Sequence, residues 1–81
     1  MADARSLITG EQCRTARLLL RLSQEALARR AQVHPETVAA FENGRPSTFP
    51  MQTKVRRALV QAGIEFTGGE PGVRLKKVEG Q

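Results

Sequence analysis

The side chains best suited to bind another molecule lie on a short segment that ends at Gly44. The residues from Pro35 onward are compatible with a helix, and a projection at about 100° per residue gives this helix two different faces. Val38 and Phe41 fall on one face and are expected to anchor the helix to the protein body. The other face displays small or uncharged side chains and one carboxylate: Glu36, Ala39, Ala40 and Asn43. Such a helix can approach another surface closely, and the major groove of DNA is wide enough to accept one.

The chain is not expected to catalyse a reaction or to hold a metal. Its only cysteine is Cys13 and its only histidine is His34, so the sequence offers no cluster of metal ligands. No motif pairs a serine or cysteine with that histidine as a base, and no glycine-rich loop precedes a helix as phosphate-binding loops do. We therefore expect no enzyme activity, no cofactor and no small-molecule ligand.

Length and charge narrow the range of partners. With 81 residues, the chain is expected to form one domain over residues 1–81, with little room for a deep catalytic cleft. The net charge of +5 favours polyanions, nucleic acid first among them, although surplus surface arginine on any soluble protein would give the same charge. The cysteine content suits a reducing cytoplasm. No apolar run reaches the ~20 residues of a membrane span, and the N-terminus does not resemble a secretory signal.

Capping and turn residues predict four helices. Their predicted bounds are Gly10–Arg21, Gln24–Ala31, Pro35–Asn43 and Pro50–Ala62. Thr9 and Gln12 form a capping box before the first helix. Ser23 is expected to cap the second helix and His34 the third. Gly44 is expected to end the third helix in the left-handed conformation.

The residues after the fourth helix have a different pattern. Residues 64–66 and 73–76 alternate between apolar and polar side chains around a turn-rich stretch, which predicts a β-hairpin or two short strands. A two-stranded hairpin is weak in water, so it must lie on the helices or pair with another chain. Segment 63–77 is therefore expected to contribute a dimer contact, supported by surplus leucines of the first helix such as Leu18 and Leu19.

On these residues the chain resembles the helix-turn-helix proteins of the phage-repressor and Cro group, also called the xenobiotic-response-element group. The shared pattern comprises Gln24, Ala28, the turn Gln32-Val33, the inward residues Val38 and Phe41, and Glu42-Asn43-Gly44. The resemblance covers roughly residues 9–62. It implies a mainly α, compact four-helix domain similar to lambda repressor, followed here by the short C-terminal strand pair.

The resemblance also implies roles for individual residues. The base-facing positions are Pro35, Glu36, Thr37, Ala39 and Ala40. The expected contacts to DNA phosphates are Gln24, His34, Asn43 and Arg45, where His34 can alternatively serve only as the helix cap. Arg17 is implied to form a structural ion pair with Glu42, whose position at the margin of the buried face requires a cation or hydrogen bonds.

Three features depart from the family pattern. Gln32 replaces the usual turn glycine, which costs ~1 kcal/mol if the residue adopts positive φ. Pro35 and the two alanines replace longer polar side chains, so fewer side chains than usual can form hydrogen bonds with the bases. Glu36 can still accept a hydrogen bond from cytosine, and alanine can contact a thymine methyl group. Gln52 replaces an expected apolar residue, so the start of the fourth helix is less well defined.

The sequence therefore predicts a sequence-specific regulator of transcription that binds double-stranded DNA as a dimeric repressor, with no membrane partner. A second hypothesis gives the same fold to a protein-interaction module, comparable to an antitoxin or an anti-activator. Salt-dependent DNA binding discriminates between the two.

Overall fold

The computed structural model describes residues 8–67 and 72–76. Its helices and strands are α1 Gly10–Leu19, α2 Gln24–Ala31, α3 Pro35–Glu42, α4 Phe49–Gln61, β1 Ile64–Phe66 and β2 Val73–Leu75. The predicted mainly α fold of four helices with a short C-terminal β-hairpin is confirmed. Within the described ranges, no helix has both the length and the apolar character needed to cross a membrane.

Side-chain caps determine where α1, α2 and α4 begin. Thr9 Oγ1 accepts a hydrogen bond from the Gln12 N–H, and Gln12 Oε1 accepts one from the Thr9 N–H, each at 3.0 Å. The predicted capping box before α1 is therefore present. The hydroxyl groups of Ser23 and Thr48 accept hydrogen bonds from backbone N–H groups in the first turns of α2 and α4.

Four predicted helix boundaries were wrong. α3 ends at Glu42 instead of Asn43, which takes the C-cap position. α1 ends at Leu19 instead of Arg21, because Arg21 has a φ of 60° and so leaves the right-handed helical region. α4 begins at Phe49, one residue earlier than predicted, because Thr48 supplies the cap. It also ends one residue earlier than predicted, at Gln61, with Ala62 at the C-cap position.

One cluster of buried apolar side chains joins the helices to the hairpin. Its largest fully buried members are Leu27, Leu59, Ile64, Val38, Val55 and Cys13. α2 packs against α3 and α4, while β1 lies against α4 and β2 against α1. This arrangement supports α3 from the inner side and leaves its outer side open.

The hairpin pairs antiparallel, with Phe66 opposite Val73 and Glu65 opposite Arg74. Ile64 and Val73 are buried against the helices, which supplies the support that an isolated hairpin lacks. On the outer face Arg74 Nε lies 3.1 Å from Glu65 Oε1 in an exposed ion pair. The predicted turn between the strands falls largely on residues 68–71, outside the described residues.

Candidate nucleic-acid interface

α3 has the two faces that the helical projection predicts. Val38 is completely buried and Phe41 is 5% exposed, so these two side chains fix the helix to the core. On the outer face, Pro35, Glu36 and Asn43 are exposed, and Thr37, Ala39 and Ala40 are half-buried. The described residues therefore leave this surface accessible, with small side chains that permit close contact.

α3 begins with His34 at the N-cap position and Pro35 inside its first turn. The prediction that His34 occupies the N-cap position is confirmed, but its side chain makes no capping hydrogen bond. Pro35 lacks an N–H group and therefore needs no partner at this end. The exposed imidazole of His34 is left available to another molecule.

The turn before α3 depends on a left-handed residue. Gln32 has φ 62° and ψ 44°, and its N–H donates to carbonyl oxygens of α2. Val33 N–H donates to the Ala28 carbonyl oxygen at 3.0 Å. The glutamine thus adopts the strained conformation that the family pattern usually assigns to glycine, and the turn keeps its geometry.

The end of α3 is held by the carboxylate of Glu42, whose side chain is 3% exposed. Arg17 binds it at two points, with Nε donating to Oε2 at 2.8 Å and Nη2 to Oε1 at 3.0 Å. Gln24 Nε2 donates to Oε1 at 3.0 Å, and the Cys13 thiol lies 3.5 Å from Oε2. Arg17 also donates to the Leu22 carbonyl oxygen at 3.0 Å. This Glu42 network joins α1, α2 and α3.

The Glu42 network also shifts the ionisation of its members. Burial acts to raise the pKa of Glu42, but hydrogen bonds from Arg17 and Gln24 outweigh it and lower the pKa. The hydrogen bond to Glu42 raises the pKa of Arg17. Burial, reinforced by the charge of Glu42, raises the pKa of Cys13 to about 12. The ion pair is therefore charged at neutral pH, and the thiol is a protonated donor.

Gln24, expected at a phosphate, lies at the first position of α2 and is half-buried. One hydrogen of its amide group binds Glu42, and the second has no acceptor among the described residues, so it can bind an external one. Gln24 is thus tied to the end of α3, a relation that local spacing in the sequence does not reveal.

The segment after α3 turns sharply away from the helix. Gly44 has φ +84°, and its N–H donates to the Phe41 carbonyl oxygen at 3.0 Å. Arg45 N–H donates to the Ala40 carbonyl oxygen at 3.0 Å, as in a left-handed helix end. The structure therefore presents the exposed side chains of Asn43 and Arg45 just beyond the outer face of α3.

Two features of this region were not predicted from the sequence. A groove runs beside α3 and is lined by Glu36, Thr37, Ala40, Pro46, Ser47 and Thr48. Ser47 is held there by a hydrogen bond of 2.7 Å from Gln52 Nε2. Gly10, at the start of α1, packs against the backbone of the last turn of α3. Neither feature has a signal in the sequence beyond a polar loop and a glycine near a cap.

The comparison with protein families agrees with this geometry. Residues 14–52 match the model of the helix-turn-helix family HTH_3. The matched range includes α2, the turn at Gln32, α3 and the first turn of α4. No curated protein matches the chain. Over residues 14–52, this chain is similar to the helix-turn-helix family of XRE-type DNA-binding regulators.

Proposed function

We propose that this protein is a sequence-specific repressor of transcription that acts in the cytoplasm and inserts α3 into the major groove of double-stranded DNA. The observation that carries this proposal is the exposed outer face of α3, held in place by Val38 and Phe41 from within. A helix of this width fits the groove, and its small side chains allow its backbone to lie close to the base edges.

The residues proposed to contact DNA divide into two groups with different roles. The group that faces the bases comprises Pro35, Glu36, Thr37, Ala39 and Ala40. Glu36 is the only charged residue in this group. Gln24, His34, Asn43 and Arg45 contact phosphates on either side. Contacts to phosphates position the protein, while contacts to bases select the sequence. The protein acts by binding and not by catalysis.

A dimer accounts for the unpartnered surface around α1 and β2. Leu18, Leu19 and Leu75 are 56%, 40% and 50% exposed on these two packed elements. Thr67 N–H donates to Gly72 and Lys76 N–H donates to Gly63 across the hairpin. In an antiparallel ladder this register directs the main-chain groups of residues 73 and 75 away from β1.

An outward edge of this kind can pair with the same edge of a second copy around a two-fold axis. We therefore assign residues 9–62 to DNA binding and segment 63–77 to dimerisation within one domain. Two subunits would place two copies of α3 about one turn of DNA apart, roughly 34 Å.

The proposal is tested by selecting bound sequences from random duplex DNA and then measuring affinity for the selected site against salt. If about four phosphates are neutralised, affinity should fall about a hundredfold between about 50 and 200 mM salt. Arg45→Gln should reduce this salt dependence, whereas Arg14→Gln on the exposed side of α1 should not. No selected sequence, or a flat salt response, would instead favour the protein-interaction module.

The dimer is tested separately by sedimentation. Leu18→Glu combined with Leu75→Glu should convert the dimer to monomer, because two buried charges would face each other across the interface. Val60→Glu adds a charge at an apolar position that is 42% exposed on α4 and should leave the dimer intact. A dimer that survives the double substitution would exclude this surface.

A further inference from the structure

A basic cleft lies along the seam between the end of α2 and the middle of α4. Arg30, Lys54 and Arg57 surround it, and the amide side chains of Gln32 and Gln61 complete its rim. The cleft has a volume of about 260 Å³. Two buried alanines, Ala31 and Ala58, also line it, so the cleft combines polar side chains with a small apolar surface.

The described residues do not balance the positive charge of the basic cleft. Among them, no acidic side chain lines the cleft, and α4 contains no aspartate or glutamate. Within the described ranges, 8–67 and 72–76, the ion pairs are Arg17–Glu42 and Arg74–Glu65. Neither pair includes a cation of the cleft. Three exposed cations around one concavity create a local positive potential that attracts anionic groups.

Structural roles do not account for all of these cations. Arg30 lies in the last turn of α2, where a cation interacts favourably with the helix dipole. Lys54 and Arg57 lie inside α4, away from either helix end. The neighbouring Arg56 differs, because its guanidinium lies 5.2 Å from the centre of the Phe66 ring. Within residues 8–67 and 72–76, Arg56 therefore has a partner in Phe66, whereas Lys54 and Arg57 form no ion pair.

The basic cleft is separate from the face that α3 presents. The groove beside α3 includes one residue of α4, Met51, and shares no residue with the cleft. A concave site with guanidinium and amide donors suits a single projecting carboxylate, which can accept two hydrogen bonds from one arginine. The backbone of a duplex is broad and convex, so it meets protruding side chains more readily than the floor of a cleft.

We propose that the basic cleft binds an acidic segment of a partner protein through carboxylate side chains. The partner would engage α2 and α4 while the outer face of α3 remains open. This inference does not depend on the proposed DNA binding, since the two surfaces share no residues.

The test uses the full chain and an acetylated tetraglutamate peptide at low salt, followed by amide NMR shifts. We expect shifts centred on Arg30, Gln32, Lys54 and Arg57. Arg30→Gln combined with Arg57→Gln should weaken the peptide affinity about tenfold, because two exposed charge pairs are lost. Arg14→Gln combined with Arg29→Gln removes the same net charge elsewhere and should change the affinity less than about twofold.

Three results would overturn the proposal. An equal loss of peptide affinity in both double variants would mean that the affinity depends only on the net charge of the protein. Shifts centred on residues 34–45 would place the peptide on the α3 face. Loss of duplex DNA affinity in the cleft variant that matches its loss of peptide affinity would make the cleft a contact to phosphates. A thermal melt checks that each variant is folded.

Discussion

The α-carbon of Gly10 faces the backbone carbonyl group of Phe41 with no room for a side chain between them. A methyl group on Gly10 would overlap the Phe41 carbonyl oxygen and lie 3.0 Å from the Glu42 α-carbon. The first turn of α1 therefore rests directly on the last turn of the helix proposed to enter DNA. Glycine is required here for close approach, and its backbone angle is not the reason.

Gly10→Ala should accordingly destabilise the protein by about 2 kcal/mol in denaturant titrations. Alanine is the better helix former by ~1 kcal/mol, but overpacking against a backbone that cannot rotate away outweighs this gain. Gly44→Ala is the control, because its methyl group would meet open space and only the φ of +84° opposes it. That variant should lose about 1 kcal/mol. A Gly10→Ala protein as stable as the unmodified chain would contradict the contact.

Glu42→Ala should cost about 3 kcal/mol of unfolding free energy at neutral pH, because it leaves the Arg17 guanidinium buried without its counter-charge. The Arg17 side chain is 11% exposed, whereas the comparable Arg74 side chain is 66% exposed. Glu65→Ala, which breaks the exposed pair, should therefore cost less than about 1 kcal/mol. Similar losses in the two variants would show that burial does not distinguish the pairs.

Stability should also fall in acid through Glu42. The folded pKa of Glu42 lies below the ordinary value of 4.5, so folding favours the ionised carboxylate. Its contribution is fully present above pH 4.5 and is lost as the pH falls through the folded pKa. Thermal melts from neutral to acid pH should show this loss, and Glu42→Gln should remove that part of the profile. A Glu42→Gln profile with an unchanged slope below this pH would refute the assignment.

Gln32→Gly should stabilise the protein by up to about 1 kcal/mol, because glycine adopts the observed φ of 62° without steric cost. The greater freedom of glycine in the unfolded chain offsets part of the gain. Arg29→Gly, inside α2 just before this turn, should instead destabilise by about 1 kcal/mol. Urea denaturation of the two variants should give opposite signs, and equal signs would exclude relief of strain at Gln32.

Glu36→Ala should change which sequences are bound more than how tightly the best site is bound. The Glu36 side chain is exposed and makes no hydrogen bond within the described residues, so folding should be unaffected. Its removal abolishes the carboxylate that can accept from cytosine. Repeating the selection from random DNA measures the effect. An identical set of selected sequences with uniformly lower affinity would argue against a contact to bases.

Much of this fold follows from local chemistry along the chain. The capping hydroxyl groups of Thr9 and Ser23 and the proline at Pro35 act on residues within one turn, and these starts were predicted correctly. The left-handed Gln32 was predictable because the family pattern has glycine there. The two faces of α3 follow from its period alone.

Features that join distant residues were harder to predict. The hydrogen bond from Gln24 to Glu42 spans 18 positions, and that from Cys13 to Glu42 spans 29. No spacing rule connects such pairs, because their proximity results from the packing of three helices. The end of α1 was predicted wrongly for a related reason, because an arginine side chain gives no indication of the positive φ that Arg21 adopts.

Val38 and Phe41 fix α3 from its inner side, and the Glu42 network fixes its C-terminal end. The side chains on the outer face contribute little to holding the helix, so they can be exchanged while the scaffold persists. Under the proposed function, substitutions at a few of these surface positions would re-target the protein to other DNA sequences. The thermodynamic cost of changing specificity is thereby uncoupled from the cost of remaining folded.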